Sequence, residues 1–140
     1  MLTITVTTIE REVAKITDAT QITLPTIEGE ITILPNHIPL MSVLGLGEVV
    51  IKKSDGSVQN LFVDGGIIQV NGSSIELLAN MAERAEDIDA AKVEEAKRRA
   101  EKLLQEKPID IDIAQVEASL QRELIRLNVT KKLGKLSPQS

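Results

Sequence analysis

The residues best equipped for chemistry sit in GEITILPNHIPL, residues 29–40, where the chain's one histidine, His37, stands between Pro35 and Pro39. General acid–base work by an imidazole needs a second group to orient it, and no motif supplies one here. The other tools are few. The absence of cysteine excludes thiolate nucleophiles, disulfides and thiolate zinc sites, and a single histidine excludes a multi-histidine metal centre. The carboxylates fall in turns and on helix faces without the paired arrangement that acid–base hydrolysis requires. An enzyme is therefore not expected. Pro35 and Pro39 instead fix φ on either side of His37, so the segment loses little entropy when another surface grips it. It reads as an interface loop.

The elements that must hold this loop follow from composition and period. A chain of 140 residues with 42% hydrophobic residues can bury a core. With no Trp or Tyr and one Phe, that core must be aliphatic, and no aromatic platform exists for stacking bases. Charge divides unevenly: residues 1–85 carry 5 Lys and Arg against 10 Asp and Glu, whereas residues 86–140 carry 11 of each. The basic footprint of a nucleic-acid-binding protein is missing, so no nucleic-acid partner is expected. No apolar run is long enough to span a membrane, and Met1 leads directly into TITVTT without a leader pattern, so the expectation is a protein made and kept in the cytoplasm.

Up to Ala79 the apolar residues alternate, as in half-buried strands: Leu2, Ile4, Val6; Ile22, Leu24; Ile31, Ile33; Val49, Ile51; Leu61, Val63; Ile68, Val70; Ile75, Leu77. Ser54-Asp55-Gly56-Ser57 and Asn71-Gly72 carry turn signals between them, and Asn-Gly suits a two-residue hairpin turn. Many short strands with hairpins predict a sandwich or barrel. Beyond Ala79 the period becomes helical. Val93, Ala96, Ala100 and Leu103 make one narrow stripe, and Val116, Leu120, Leu124 and Leu127 make a second. Asp87 or Asp89 can cap the first helix, Pro108 ends it, and Asp112 with Gln115 has the spacing of a capping box for the next. Two helices joined by a loop of about 5 to 7 residues form an antiparallel hairpin. The tail KKLGKLSPQS is expected to fray.

EGEITILPNHIPL, then FVDGGIIQVNGSSIELLA, then AERAEDID leading into EAKRRAEKLL closely resemble the epsilon subunit of bacterial F-type ATP synthases. The resemblance runs in order from the first strand to about Leu133. It implies an α+β chain: an antiparallel β-sandwich of about ten short strands over residues 1–85, then a helical hairpin over residues 86–140. The family's loop has Gly where this chain has Asn36, and Asn is the residue besides Gly that best tolerates a left-handed backbone. Read through the family, Glu28, Glu30, Pro35, Asn36, His37 and Pro39 form the edge that meets the gamma subunit and the loops of the c-ring.

Several family members also bind a regulatory ATP on the hairpin. The corresponding residues here are Glu83, Ile88, Asp89, Lys92, Val93, Arg99, Arg122 and Arg126. Lys92 and Arg99, seven apart, share one helix face, and Arg122 and Arg126, four apart, share another. Lys92 stands where the family motif has Arg, and Val93 where it has a small Ala. The plainer reading is a solvated charged face paired with Glu94, Glu95 and Glu123. The resemblance implies a non-catalytic, peripheral subunit on the cytoplasmic face of the cell membrane. It would couple ring rotation to synthesis, and its hairpin would extend against the catalytic alpha/beta head to restrain ATP hydrolysis. No cofactor is required beyond a regulatory ATP. The competing reading on physics alone is a free-standing nucleotide-sensing β-sandwich adaptor.

Overall fold

The computed structural model describes residues 1–136, with side chains described as far as Lys131. The chain divides into two compact units, Met1–Ala85 and Glu86–Ser140. The first unit holds the strands β1 (Leu2–Thr7), β2 (Glu12–Thr26), β3 (Gly29–Ile33), β4 (His37–Lys53), β5 (Val58–Gly72), β6 (Ser74–Ala79) and β7 (Ala82–Arg84). Their order is β1-β6-β5-β4-β2-β3, with β7 on β5, and a further β1–β2 pairing closes all but β3 of this path into a ring. All pairs are antiparallel except β1 with β6.

Seven strands stand among the described residues where about ten short ones were expected. The difference lies in β2, β4 and β5, which run 15, 17 and 15 residues and each serve both layers of the sandwich. The first half of β4 pairs with the second half of β5, alongside β6 and β1; its second half pairs with the first half of β5 and with β2. Glycine lets a strand turn this corner without breaking. Gly65 and Gly66 have φ of 76° and 133°, and a Cβ on Gly66 would strike the Leu78 carbonyl oxygen and lie 2.8 Å from the Ala79 Cα. Only glycine fits where β5 bends over β6.

The alternating series read from the sequence is the core. Every member is buried except Ile31, which is half-buried and packs against the rest. The turns are nearly as expected. In Lys53–Ser57, Gly56 N donates to Lys53 O and Lys53 N to Ser57 O, with Gly56 at φ 86°, which is a type I turn closed by a glycine bulge. The second hairpin is shifted by one residue: Asn71 pairs with Ser74, so the two-residue turn is Gly72-Ser73, not Asn71-Gly72. Positive φ falls on Gly72 alone, the sign pattern of a type II′ turn, in which Gly takes the first central position.

In the second unit, α1 spans Ala90–Glu106 and α2 spans Ile113–Leu136. Asp89, not Asp87, caps α1; its Oδ1 accepts from Ala91 N and Lys92 N. The helix closes on Lys107 at φ 47°, whose N donates to Leu103 O, and Pro108 prevents continuation. Asp112 Oδ1 accepts from Gln115 N and starts α2. The expected fraying from Lys131 is corrected in part: α2 continues to Leu136, and residues 137–140 lie outside the described residues.

The expected α2 stripe also needs correction. Four residues advance a helix by about 40° more than a full turn, so the steps Val116, Leu120, Leu124 rotate steadily off the seam. Leu124 is 45% exposed, whereas the Glu123 side chain, one residue back toward the seam, is 15% exposed.

Candidate functional site

The residues expected at the interface fall at two ends of one stretch of the sandwich. Glu28 and Glu30 are exposed in and just after the β2–β3 turn, which is tied by Thr26 Oγ1 accepting from Glu28 N and donating to Gly29 O. The turn abuts β4, because Ile27 N donates to Val43 O at 3.2 Å. At the other end, Asn36 takes φ 64°, the left-handed conformation expected of it. Asn36 N donates to Ser73 Oγ at 3.2 Å, so the proline loop is pinned to the β5–β6 turn. His37 lies between Pro35, half-buried, and Pro39, exposed. A carbonyl can only accept, so His37 Nδ1 carries the hydrogen it donates to Ile38 O at 2.7 Å. That bond fixes the imidazole within its own turn.

Between these ends lies a surface that the sequence reading missed. Val43 on β4 pairs with Ile67 on β5, and Ile67 pairs with Leu78 on β6, so the three side chains form one cross-strand row. They are exposed, as are Met41 two residues back on the same strand face and Ile27 in the adjoining turn. A shallow depression of about 550 Å³ opens beside Met41, between Pro39, Gln69 and Asn71. The signal was present as doubled apolar residues. In Leu40-Met41, Val43-Leu44, Ile67-Ile68 and Leu77-Leu78 one member faces the core and its neighbour must face outward. A strand with one solvated face would alternate cleanly.

The candidate nucleotide residues are divided by the fold. Glu83 lies on β7 of the first unit; Ile88 is buried and Asp89 caps α1, both in the second. Lys92 is exposed on the first turn of α1. Within the hairpin, α1 and α2 face one another across a groove of about 360 Å³, floored by Ala96, Ala100 and Ser119 and bordered by Arg99 and Glu123. Small side chains on the floor leave this opening at the lower end of the size range of ligand sites. Arg126 Nη1 donates to Glu123 Oε2 at 3.0 Å and to Oε1 at 3.3 Å. Arg99 and Glu123, which holds Arg126, thus line one groove, while Lys92, Arg122 and Arg126 itself are not part of its lining.

The architecture is a β-sandwich with a row of exposed apolar side chains, followed by a separate two-helix unit. Comparison with known proteins makes the class particular. Residues 1–85 match the family described as ATP synthase, Delta/Epsilon chain, beta-sandwich domain, and residues 86–131 match its long alpha-helix domain. The ATP synthase epsilon chain of Ligilactobacillus salivarius is 39% identical over 134 residues, 94% of this chain and 96% of the relative. That of Dehalococcoides mccartyi is 44% identical over 113 residues, 79% of each. The chain belongs to the ATP synthase delta/epsilon family, as a non-catalytic subunit of the epsilon type. The fold is also that of a chain in the Euglena gracilis mitochondrial ATP synthase structure of OSCP, F1 and c-ring, with a TM-score of 0.66 at 24% identity, covering 96% of this chain and 79% of that one.

Proposed function

We propose that the sandwich docks this chain on the gamma subunit and on the loops of the c-ring, so that ion-driven rotation of the ring turns the central stalk inside the catalytic head. The observation that carries this reading is the exposed apolar row Val43, Ile67 and Leu78 with Met41. A contiguous apolar patch of this kind marks a surface that a partner covers. Glu28 and Glu30 beside it supply carboxylates for basic ring loops, and Pro35 and Pro39 stiffen the far end. Among the described residues no helix is long and apolar enough to cross a membrane, which fits a peripheral subunit at the cytoplasmic face of the cell membrane.

The hairpin is the regulatory part of the proposal. Released and extended, α2 presents Arg122 and Arg126 to acidic segments of the alpha/beta head and restrains hydrolysis. ATP held on the hairpin by Ile88, Asp89, Lys92, Arg99, Arg122 and Arg126 keeps it folded. Support for a small energy gap comes from the hairpin's own seam, where Val93 and Ala100 are buried but Leu103 is exposed. A ligand can reverse a gap of a few kcal/mol by its differential affinity for the two states.

Two measurements on the reconstituted catalytic head with gamma test this. Ile67→Glu places a charge in the apolar row at a side chain the fold leaves exposed, and is expected to weaken docking by roughly tenfold or more while the chain stays folded. Full co-purification of that variant would remove the docking reading. The ATPase rate is expected to fall when the chain is added, and the inhibition to fade as ATP rises. Inhibition that ignores ATP would leave the brake and remove the sensor.

A further inference from the structure

The groove between α1 and α2 is not bordered by cations alone. Glu123 stands on its α2 side and grips Arg126 through both carboxylate oxygens, with the Arg126 and Glu123 side chains only 21% and 15% exposed. Arg99, on the α1 side, is held far more loosely. Its Nη1 lies 4.0 Å from Glu95 Oε1 with both side chains 70% exposed, and solvent leaves such a pair close to nothing. Of two arginines that a polyanion would use, one is accessible and the other is already engaged by the chain's own carboxylate.

We infer that Glu123 is an internal competitor for the nucleotide: it lines the groove and holds Arg126, so a triphosphate in the groove reaches Arg126 only by displacing Glu123. The inference rests on the nucleotide reading above and adds to it the residue that sets the ATP concentration at which the hairpin is held folded. A carboxylate and a phosphate present oxygens to a guanidinium in much the same way, so the exchange swaps one charge-assisted pair for another. The displaced carboxylate must leave a shielded position and find water, and until it does it repels the incoming phosphate. Both effects raise the ATP concentration required. Only helix geometry puts Glu123 there, since it lies nearer the α1–α2 seam than Leu124 does.

The test is titration calorimetry of ATP into the full-length chain as wild type, Glu123→Gln, Arg126→Ala and the double variant. Glutamine keeps the shape of the side chain, and helical circular dichroism establishes that each variant is folded. Glu123→Gln is expected to bind ATP roughly tenfold or more tightly than wild type, or to bind where wild type does not, and Arg126→Ala is expected to abolish that gain. Equal binding by wild type and Glu123→Gln overturns the inference while leaving the nucleotide site standing. A gain that survives Arg126→Ala also overturns it, because Glu123 would then act by repulsion alone. No binding by either wild type or Glu123→Gln removes the nucleotide site and the inference with it.

Discussion

The sandwich and the hairpin are built from similar fractions of aliphatic residues, yet they are stabilised in different ways. In the sandwich, β1 to β6 all contribute side chains to one continuous core, and the ladders that join them close on themselves. In the hairpin, the buried apolar side chains of the two described helices are Val93, Ala100, Leu127 and Val129, and much of the remaining seam is Ala, Ser and the Glu123–Arg126 pair. Aliphatic burial contributes roughly 25 cal/mol per Å² removed from water, so one unit has a large reserve of stability and the other a small one. Under the proposed function the difference is a division of labour: a part proposed to transmit torque must not yield, and a part proposed to switch must have two states close in free energy.

The same substitution made once in each unit gives the sharpest measure of that contrast. Leu77→Ala removes a fully buried side chain and is expected to destabilise the sandwich by about 3 kcal/mol. Leu103→Ala removes a partly exposed one from a helix that favours alanine, and is expected to cost under about 1 kcal/mol. With no Trp or Tyr to report, urea unfolding is best followed by peptide-resolved hydrogen exchange. Equal losses at the two sites would break the comparison, because the hairpin would then hold a reserve its packing does not show.

The fold was legible to the degree that one residue's environment depends on its near neighbours. Period 2 identified the core, because a strand has only two faces; period 3.6 identified two helices, and Asp112 announced the start of the second, while the cap of the first was narrowed to Asp87 or Asp89. The conformation of Asn36 was legible for the same local reason. Strand number was not, since β2, β4 and β5 each run on past the length of a short strand and Gly65 and Gly66 bend β5 without ending it, a choice settled by pairing across the molecule. The outward row Val43–Ile67–Leu78 was half legible: the doubled residues showed that both strand faces are apolar, but only the register shows that the three side chains meet. Glu123 was read as one of several solvated carboxylates. Its place near the seam depends on the rotation accumulated along α2, which a run of leucines four apart conceals.

A smaller effect separates the local support of a helix from any role of the same residue in binding. Asp89→Ala removes the acceptor for Ala91 N and Lys92 N and is expected to cost the hairpin about 1 kcal/mol, seen as faster exchange in the first turn of α1 with the strands unchanged. Asp89→Ser restores a capping oxygen without the charge, so it should recover the helix. If it recovers the helix but not ATP binding, the Asp89 carboxylate acts on the nucleotide as well as on the cap. Exchange that quickens throughout the β-ladders instead would mean that the two units do not hold their stability separately.

The smallest effect belongs to a turn of the sandwich and carries a sign in pH. Ser57 Oγ donates to Asp55 Oδ1 at 2.6 Å and Ser57 N at 2.8 Å, and these bonds, the hydroxyl's first, hold the Asp55 carboxyl below its ordinary value. A group whose folded pKa is depressed stabilises the fold fully above its unfolded pKa and loses that contribution as pH falls through the folded one. The window therefore lies below about pH 4, and the contribution is slight because Asp55 is bathed in solvent. Carboxylate titration by NMR should place the Asp55 midpoint lower in the wild type than in Ser57→Ala, which leaves only the backbone donor. An unmoved midpoint would mean that the Ser57 hydroxyl does not hold the carboxylate in solution. The Lys53–Ser57 turn would then be set by Gly56 and its backbone bonds alone, much as Lys107 N donating to Leu103 O closes the end of α1.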